Sequence, residues 1–241
     1  MSSPTDTDII INGLRARIAL PGQKAGRAVL ILPSAAGIGK TVKNVMSDLT
    51  DAGVAALAWD PFAGYEPDMS QEQKSKIADT VQRDEVIVRQ HMGCIDYLQH
   101  EFGTKQIATL GFCMGGRMSL YLAAMDTRIR AVAAFYPTLR DPRPDNMIDP
   151  VPLAGQISCP VFVHYPGRDH LTSAVSFQRL RAALEQRNGP AATVAFLHPH
   201  AGHGFMNQPH EGGGPDADAS SVAWPPTLAF LKSALNPTNE S

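Results

Sequence analysis

Cysteine is scarce in this chain: Cys94, Cys113 and Cys159 are the only three among 241 residues, an odd number set far apart. That excludes a disulfide framework, and the missing C-x-x-C spacing leaves no zinc knuckle or redox centre. An excess of either charge is also lacking. Lys and Arg number 21 against 23 Asp and Glu, a net −2, which supplies no basic field for nucleic acid. No apolar stretch approaches the roughly 20 residues of a membrane span, and Met1–Asp8 lacks the basic-then-apolar order of a secretory signal. Repeats and low-complexity tracts are absent as well. The expectation is a cytoplasmic protein without nucleic-acid or membrane partners, a monomer or homodimer. At 241 residues the chain can bury a large core. It is read as one domain over 1–241, with a short flexible N-terminus at about 1–7 and a frayed tail at about 236–241.

What is present is alternation. Ile9–Ile11, Asn12–Gly13 and Leu14–Leu20 read as a hairpin, since Asn-Gly is the strongest short turn signal. Apolar strand candidates follow at 28–32, 54–59, 106–112, 131–135, 160–165 and 192–198. Helical patterns lie between or after them at 40–52, 71–101, 115–125, 172–187 and 221–234. Such alternation makes a mostly parallel sheet of about eight strands with helices on both faces. Asp141–Pro152 carries four prolines and is expected to be an irregular surface excursion, and Glu211–Pro215 a mobile loop.

The strand at 106–112 runs into Gly111–Phe112–Cys113–Met114–Gly115, a nucleophile bracketed by glycines at the start of a helix. This is the elbow of α/β-hydrolases, with sulfur in place of the commoner oxygen. The helix N-terminus favours thiolate, so Cys113 is a candidate nucleophile. Asp169 follows the run at 160–165 and His203 the run at 192–198. Nucleophile, acid, histidine is the triad order of that fold, and strand C-termini converge on one crevice in a parallel sheet. His203 would take and return the proton and Asp169 would fix its tautomer. The oxyanion donors would be the Met114 N–H and, from the loop Pro33–Gly37, the Ala35 N–H. Phe62, Tyr65, Tyr136 and Phe205, with His170 and Arg117, are expected to line the substrate pocket, and Arg83 could supply a cation. Cys94 and Cys159 read as packing residues.

Other chemistries remain open. Ser34–Thr41 matches the end of a P-loop, although Ser34 stands where a P-loop begins with glycine. His198, His200, His203 and His210 crowd together as metal ligands do, but further ligands are not identifiable, so no metal and no cofactor is expected. A catalytically silent binding protein need not keep nucleophile, acid and base together.

The segments Gly111–Gly116, Gly167–His170 and Ala201–Phe205 resemble the signatures of the dienelactone hydrolases, in order and at similar spacing, over about 28–230. The resemblance implies an α/β-hydrolase fold and cleavage of a small-molecule ester or lactone by Cys113, Asp169 and His203 through an acyl-cysteine. Activated esters including phosphoesters are the alternative substrates, and an NTPase or metal-dependent hydrolase the remoter ones. Two positions depart from the family: Ser34 stands at its glutamate and Asn207 at its substrate-binding arginine. A neutral or differently charged ester or lactone is therefore expected rather than the dienelactone itself.

Overall fold

Asn12 and Gly13 both sit at positive φ, 50° and 81°, as a tight two-residue hairpin turn requires. They join β1 (Thr5–Ile11) to β2 (Leu14–Leu20), antiparallel from the Ile11–Leu14 pair out to Thr5–Leu20. β1 thus begins inside the stretch expected to be flexible, held by Arg17 reaching both Asp6 and Asp8. The computed structural model describes residues 5–22, 26–65, 68–80, 83–187, 189–207 and 213–236. Met1–Pro4, His210, Glu211, Gly212 and residues 237–241 of the expected loops and tails lie outside them.

Six further strands complete one sheet: β3 (Arg27–Leu32), β4 (Ala55–Trp59), β5 (Gln106–Phe112), β6 (Ile129–Phe135), β7 (Val161–Arg168) and β8 (Thr193–Gly202). The order is β1-β2-β4-β3-β5-β6-β7-β8, with every pair from β4 to β8 parallel. The helices are α1 (Lys40–Asp51), α2 (Gln71–Thr80), α3 (Asp84–Phe102), α4 (Met114–Met125), α5 (Ala174–Glu185) and α6 (Pro215–Ala234). Strand alternation sends side chains to opposite faces. In β3, Leu30 and Leu32 pack with α3 and α4 residues such as Ile95 and Met118, while Val29 and Ile31 join Val45 and Leu49 of α1 and Leu231 of α6. The mostly parallel sheet covered on both faces is the one the alternation predicts. Among the described residues no helix is long and apolar enough to cross a membrane.

Three departures have identifiable causes. The helix expected over 71–101 is two, α2 and α3. Arg83 is extended, and Asp84 turns inward to bond Arg117, so the first residue of α3 is buried. Asp141–Pro152 is not wholly irregular, for a short 3-10 helix spans Val151–Gln156, with Pro152 in its first turn, where a proline's missing N–H costs nothing. α6 starts at Pro215 rather than 221 for the same reason, its first turn carrying Asp216 and Asp218 at the positive end of the dipole.

After β3 the chain steps outward to β4 and then back to β5 on the other side. A crevice opens at the carboxyl ends of strands where the order reverses. The loops that follow β3, β5, β6, β7 and β8 meet there.

Candidate active site

Cys113 follows β5 with φ 57° and ψ −116°, a backbone conformation costing about 1–3 kcal/mol that persists only where its surroundings enforce it. The enforcement is visible. Cys113 N–H donates to the Phe135 carbonyl at 3.0 Å, and the Cys113 carbonyl accepts from Arg117 N–H and Thr138 N–H. Gly111 and Gly115 allow strand and helix to interlock, since a Cβ on Gly115 would lie 1.8 Å from the Leu32 carbonyl oxygen.

Asp169, one residue past β7, accepts from Leu171 N–H at 2.8 Å and Thr172 N–H at 2.9 Å. His203, one residue past β8, approaches it with Nδ1, at 3.0 Å from Oδ1 and 2.9 Å from Oδ2. The Asp169 side chain is fully buried. A carboxylate only accepts, so Nδ1 carries the hydrogen and Nε2 is left to face the sulfur. Burial opposes a charge on His203, but the bonds to Asp169 and the interaction with Cys113 outweigh it and push the imidazole up to about 9. For Cys113 burial raises the thiol, and His203, the Thr138 hydroxyl and the Met114 N–H together bring it below its usual range. Both shifts favour thiolate beside imidazolium at neutral pH. Nε2 and sulfur influence one another without meeting the geometry of a hydrogen bond. The bond the thiol does form is to Thr138 Oγ1, at 3.1 Å.

The cleft over the sulfur holds about 420 Å³ and is bounded by the loop after β3, the start of α1, Gln71, Tyr136, His203 and Asn207, a size suited to a small ligand. Ser34 Oγ accepts from Ala36 N–H at 3.2 Å and its carbonyl accepts from Gly37 N–H, so Ser34 shapes the loop rather than reaching the thiol. Tyr136 stands edge-on to His203 with ring centroids 5.0 Å apart. Of the expected lining residues Phe62, Tyr65, Phe205 and Arg117 lie elsewhere, as does Arg83, and His170 is exposed with its ring 5.6 Å from that of His203. Phe62 lines a neighbouring cleft with Arg15 and Lys74, and Tyr65 and Arg83 a third beside α3. Asp60 holds that loop away by accepting from Phe62 N–H and Arg15 Nε. Phe205 is fully buried, packed on Tyr136, Phe135 and His198. The run Ser34–Thr41 forms pocket wall. The histidines diverge: His198 turns inward to His164, His200 is exposed and His203 goes to Asp169. Among the described residues no His, Cys, Asp and Glu side chains are grouped to hold a metal ion.

The profile of the dienelactone hydrolase family matches residues 14–235. The chain belongs to the dienelactone hydrolase family. It is an ester-bond hydrolase of that family, acting on lactones or esters. A Bradyrhizobium protein described as a "Probable 2-oxo-3-(5-oxofuran-2-ylidene)propanoate lactonase" is 29% identical over 210 residues, covering 85% of this chain and 83% of that protein. Two solved structures share the fold. The "Putative Dienelactone Hydrolase" of Klebsiella pneumoniae superposes with a TM-score of 0.77 at 21% identity, covering 95% of this chain and 97% of its own. A dienelactone hydrolase-like promiscuous phosphotriesterase from metagenomic libraries gives 0.71 at 20% identity, covering 96% and 98%.

In this dienelactone hydrolase-family chain one residue at the sulfur, Thr138, carries no sequence signal. Thr138 lies in a loop after β6 whose position is set by Thr172, which donates to the Pro137 carbonyl and accepts from Leu139 N–H. Nothing local to Pro137–Thr138–Leu139 announces that. Arg117, expected to line the pocket, instead sits inside with Asp84 at 3.0 Å. A hydrogen bond to a charged group is worth about 1.5–3 kcal/mol, so Thr138→Val is expected to raise the thiol pKa. The pH profile of iodoacetamide alkylation at Cys113 then moves to higher pH, and Thr138→Ser restores it. An unmoved profile would assign the hydroxyl to packing alone.

Proposed function

We propose that the chain hydrolyses a small ester or lactone through a covalent acyl-cysteine, with Cys113 as nucleophile, His203 as acid and base, and Asp169 as the group orienting His203. The supporting observation is the pairing of His203 Nδ1 with a fully buried Asp169 while Nε2 is turned to a sulfur on the strained elbow.

The thiolate attacks the carbonyl carbon and the C=O electron pair moves onto oxygen. Met114 N–H and Ala35 N–H would hold that oxyanion, both pre-set by backbone. The tetrahedral centre then collapses, the C–O bond to the leaving group breaks, and His203 Nε2–H protonates the departing alkoxide; in a lactone that hydroxyl stays in the same molecule. Water enters next. His203 Nε2 removes its proton as its oxygen attacks the thioester, and the second collapse frees the carboxylic acid product and returns thiolate and imidazolium. Asp169 keeps its charge throughout and stabilises the imidazolium.

The test is a rapid-quench reaction with an aryl ester followed by peptide mass mapping. One acyl group on the peptide bearing Cys113 is expected, with turnover unchanged by exhaustive chelation. Acyl transfer to any other residue, or activity lost to chelator and restored by zinc, would displace this mechanism.

Ser34 and Asn207 put no charge into the pocket, and Asn207 is packed against Gly204, donating its backbone N–H to that carbonyl at 2.7 Å. Neutral esters are therefore favoured over carboxylate-bearing lactones. Asn207→Arg adds a group that pairs carboxylate bidentately and should shift the kcat/KM ratio several-fold toward the anion. A parent enzyme that already prefers the anion would transfer charge recognition to Lys40.

A further inference from the structure

A much smaller cleft of about 20 Å³ lies among Arg117, Thr138, Arg140, Arg143, Asp149 and Arg179. Four of those side chains are guanidinium groups and one is a carboxylate. Arg117 is only 3% exposed. Its Nη2 donates to Asp84 Oδ1 at 3.0 Å, while Nε and Nη1 are buried with no partner among the described residues. Asp84 is already shared, its Oδ2 accepting from Ile148 N–H at 2.6 Å. Around the rim Arg143 bonds the Met147 carbonyl and Arg179 stands 3.5 Å from Asp149. A buried guanidinium with unused N–H groups calls for an acceptor, and the space admits about one water-sized sphere. Guanidinium offers donors and no acceptor, so the lining disfavours a cation.

We propose that this cleft is a binding site for one small inorganic monoanion of chloride size, held by Arg117 Nε and Nη1 beside the Thr138 hydroxyl. The site is coupled to the nucleophile by simple counting. Thr138 has one hydroxyl hydrogen, and its oxygen lies 3.1 Å from the Cys113 sulfur. Donated to a bound anion, that hydrogen is withdrawn from the thiolate, and the anion offsets the positive charge of Arg117 that the thiolate feels. The charged and titratable groups around the sulfur are His203 after β8, backed by Asp169 after β7, Tyr136 after β6, Arg117 on α4 and, across the cleft, Lys40 on α1. Arg117 is the one of these that also lines the small cleft. Occupancy therefore lowers the thiolate fraction and slows the nucleophile near neutral pH.

Two measurements on the full chain test this. Crystals soaked in sodium bromide should show an anomalous peak against Arg117 Nε and Nη1; none at saturating bromide overturns the site. Alkylation of Cys113 by iodoacetamide, mapped by peptide mass, is then compared in chloride and in gluconate at one ionic strength, gluconate being too bulky for the cleft. Chloride should slow it several-fold and saturably, with the profile displaced to higher pH. Arg179→Gln on the rim should demand more chloride for the same slowing. The double variant Arg117→Met with Asp84→Asn, which removes both buried charges, should abolish it. Bromide in the cleft with no change in alkylation would make it an adventitious ion only and overturn the coupling. The coupling rests on Cys113 being the reactive thiol, as proposed above. The bromide peak does not, so failure of either is told apart from failure of the other.

Discussion

Cys113→Ala should abolish ester hydrolysis, with turnover reduced by at least about 10³-fold, and leave the protein folded. Losing one sulfur from a half-buried position costs on the order of 1 kcal/mol, small against the stability of a domain of this size. Alanine meets the same backbone strain at φ 57° as cysteine does, so the elbow neither gains nor loses from the exchange. Circular dichroism together with an aryl-ester assay decides the matter: native spectra with undiminished hydrolysis would mean that Cys113 is not the nucleophile. Cys113→Ser keeps a partner for Thr138 but replaces an ionisable thiol by a hydroxyl far harder to deprotonate, so most activity should go. A serine variant as fast as the parent would show that the lowered thiol pKa has no catalytic use.

Gly115→Ala is expected to have the largest effect on stability. Its Cβ would lie 1.8 Å from the Leu32 carbonyl oxygen and 2.7 Å from that of Pro33. Both neighbours are backbone and no rotamer change can yield, so either the end of β3 or the start of α4 must move. Overpacking against flexible side chains costs about 1–3 kcal/mol. Against backbone the expectation is about 4 kcal/mol or more, a fall in Tm of roughly 10 °C or loss of folded protein. Gly155→Ala, where no atom of the described residues lies within 4 Å, is the control and should change Tm little. Equal melting of the two variants would show that the elbow can relax.

How much of this was legible depended on whether the signal was local. The elbow was readable because an apolar run, a tight turn and a helix start occupy consecutive residues, and Asp169 and His203 because each stands just past a strand end. The pocket wall was not. Phe62 and Tyr65 occupy a segment without periodicity, whose course is fixed by Asp60 and Arg15 across 45 positions. Phe205 and Tyr136 are both aromatic and both follow strands, yet one lines the cleft and the other fills the core beneath it. The break before α3 was hidden for the same reason, its cause being a partner, Arg117, 33 residues further on.

The inward turn of His198 leaves a closed chain of protons. Thr227 Oγ1 donates to the Ala223 carbonyl, so it accepts from His164 Nε2; His164 Nδ1 must then accept from His198 Nε2. Each link has one hydrogen and one direction, and reversing any of them leaves Thr227 without a donor. Burial holds His164 well below its usual range and lowers His198 too. On and just past two neighbouring strands, then, the chain keeps two imidazoles that resist protonation, His164 on β7 and His198 on β8, and a third at 203 that ionises readily. The difference between a histidine that works and one that merely fits is whether its last hydrogen already has an address.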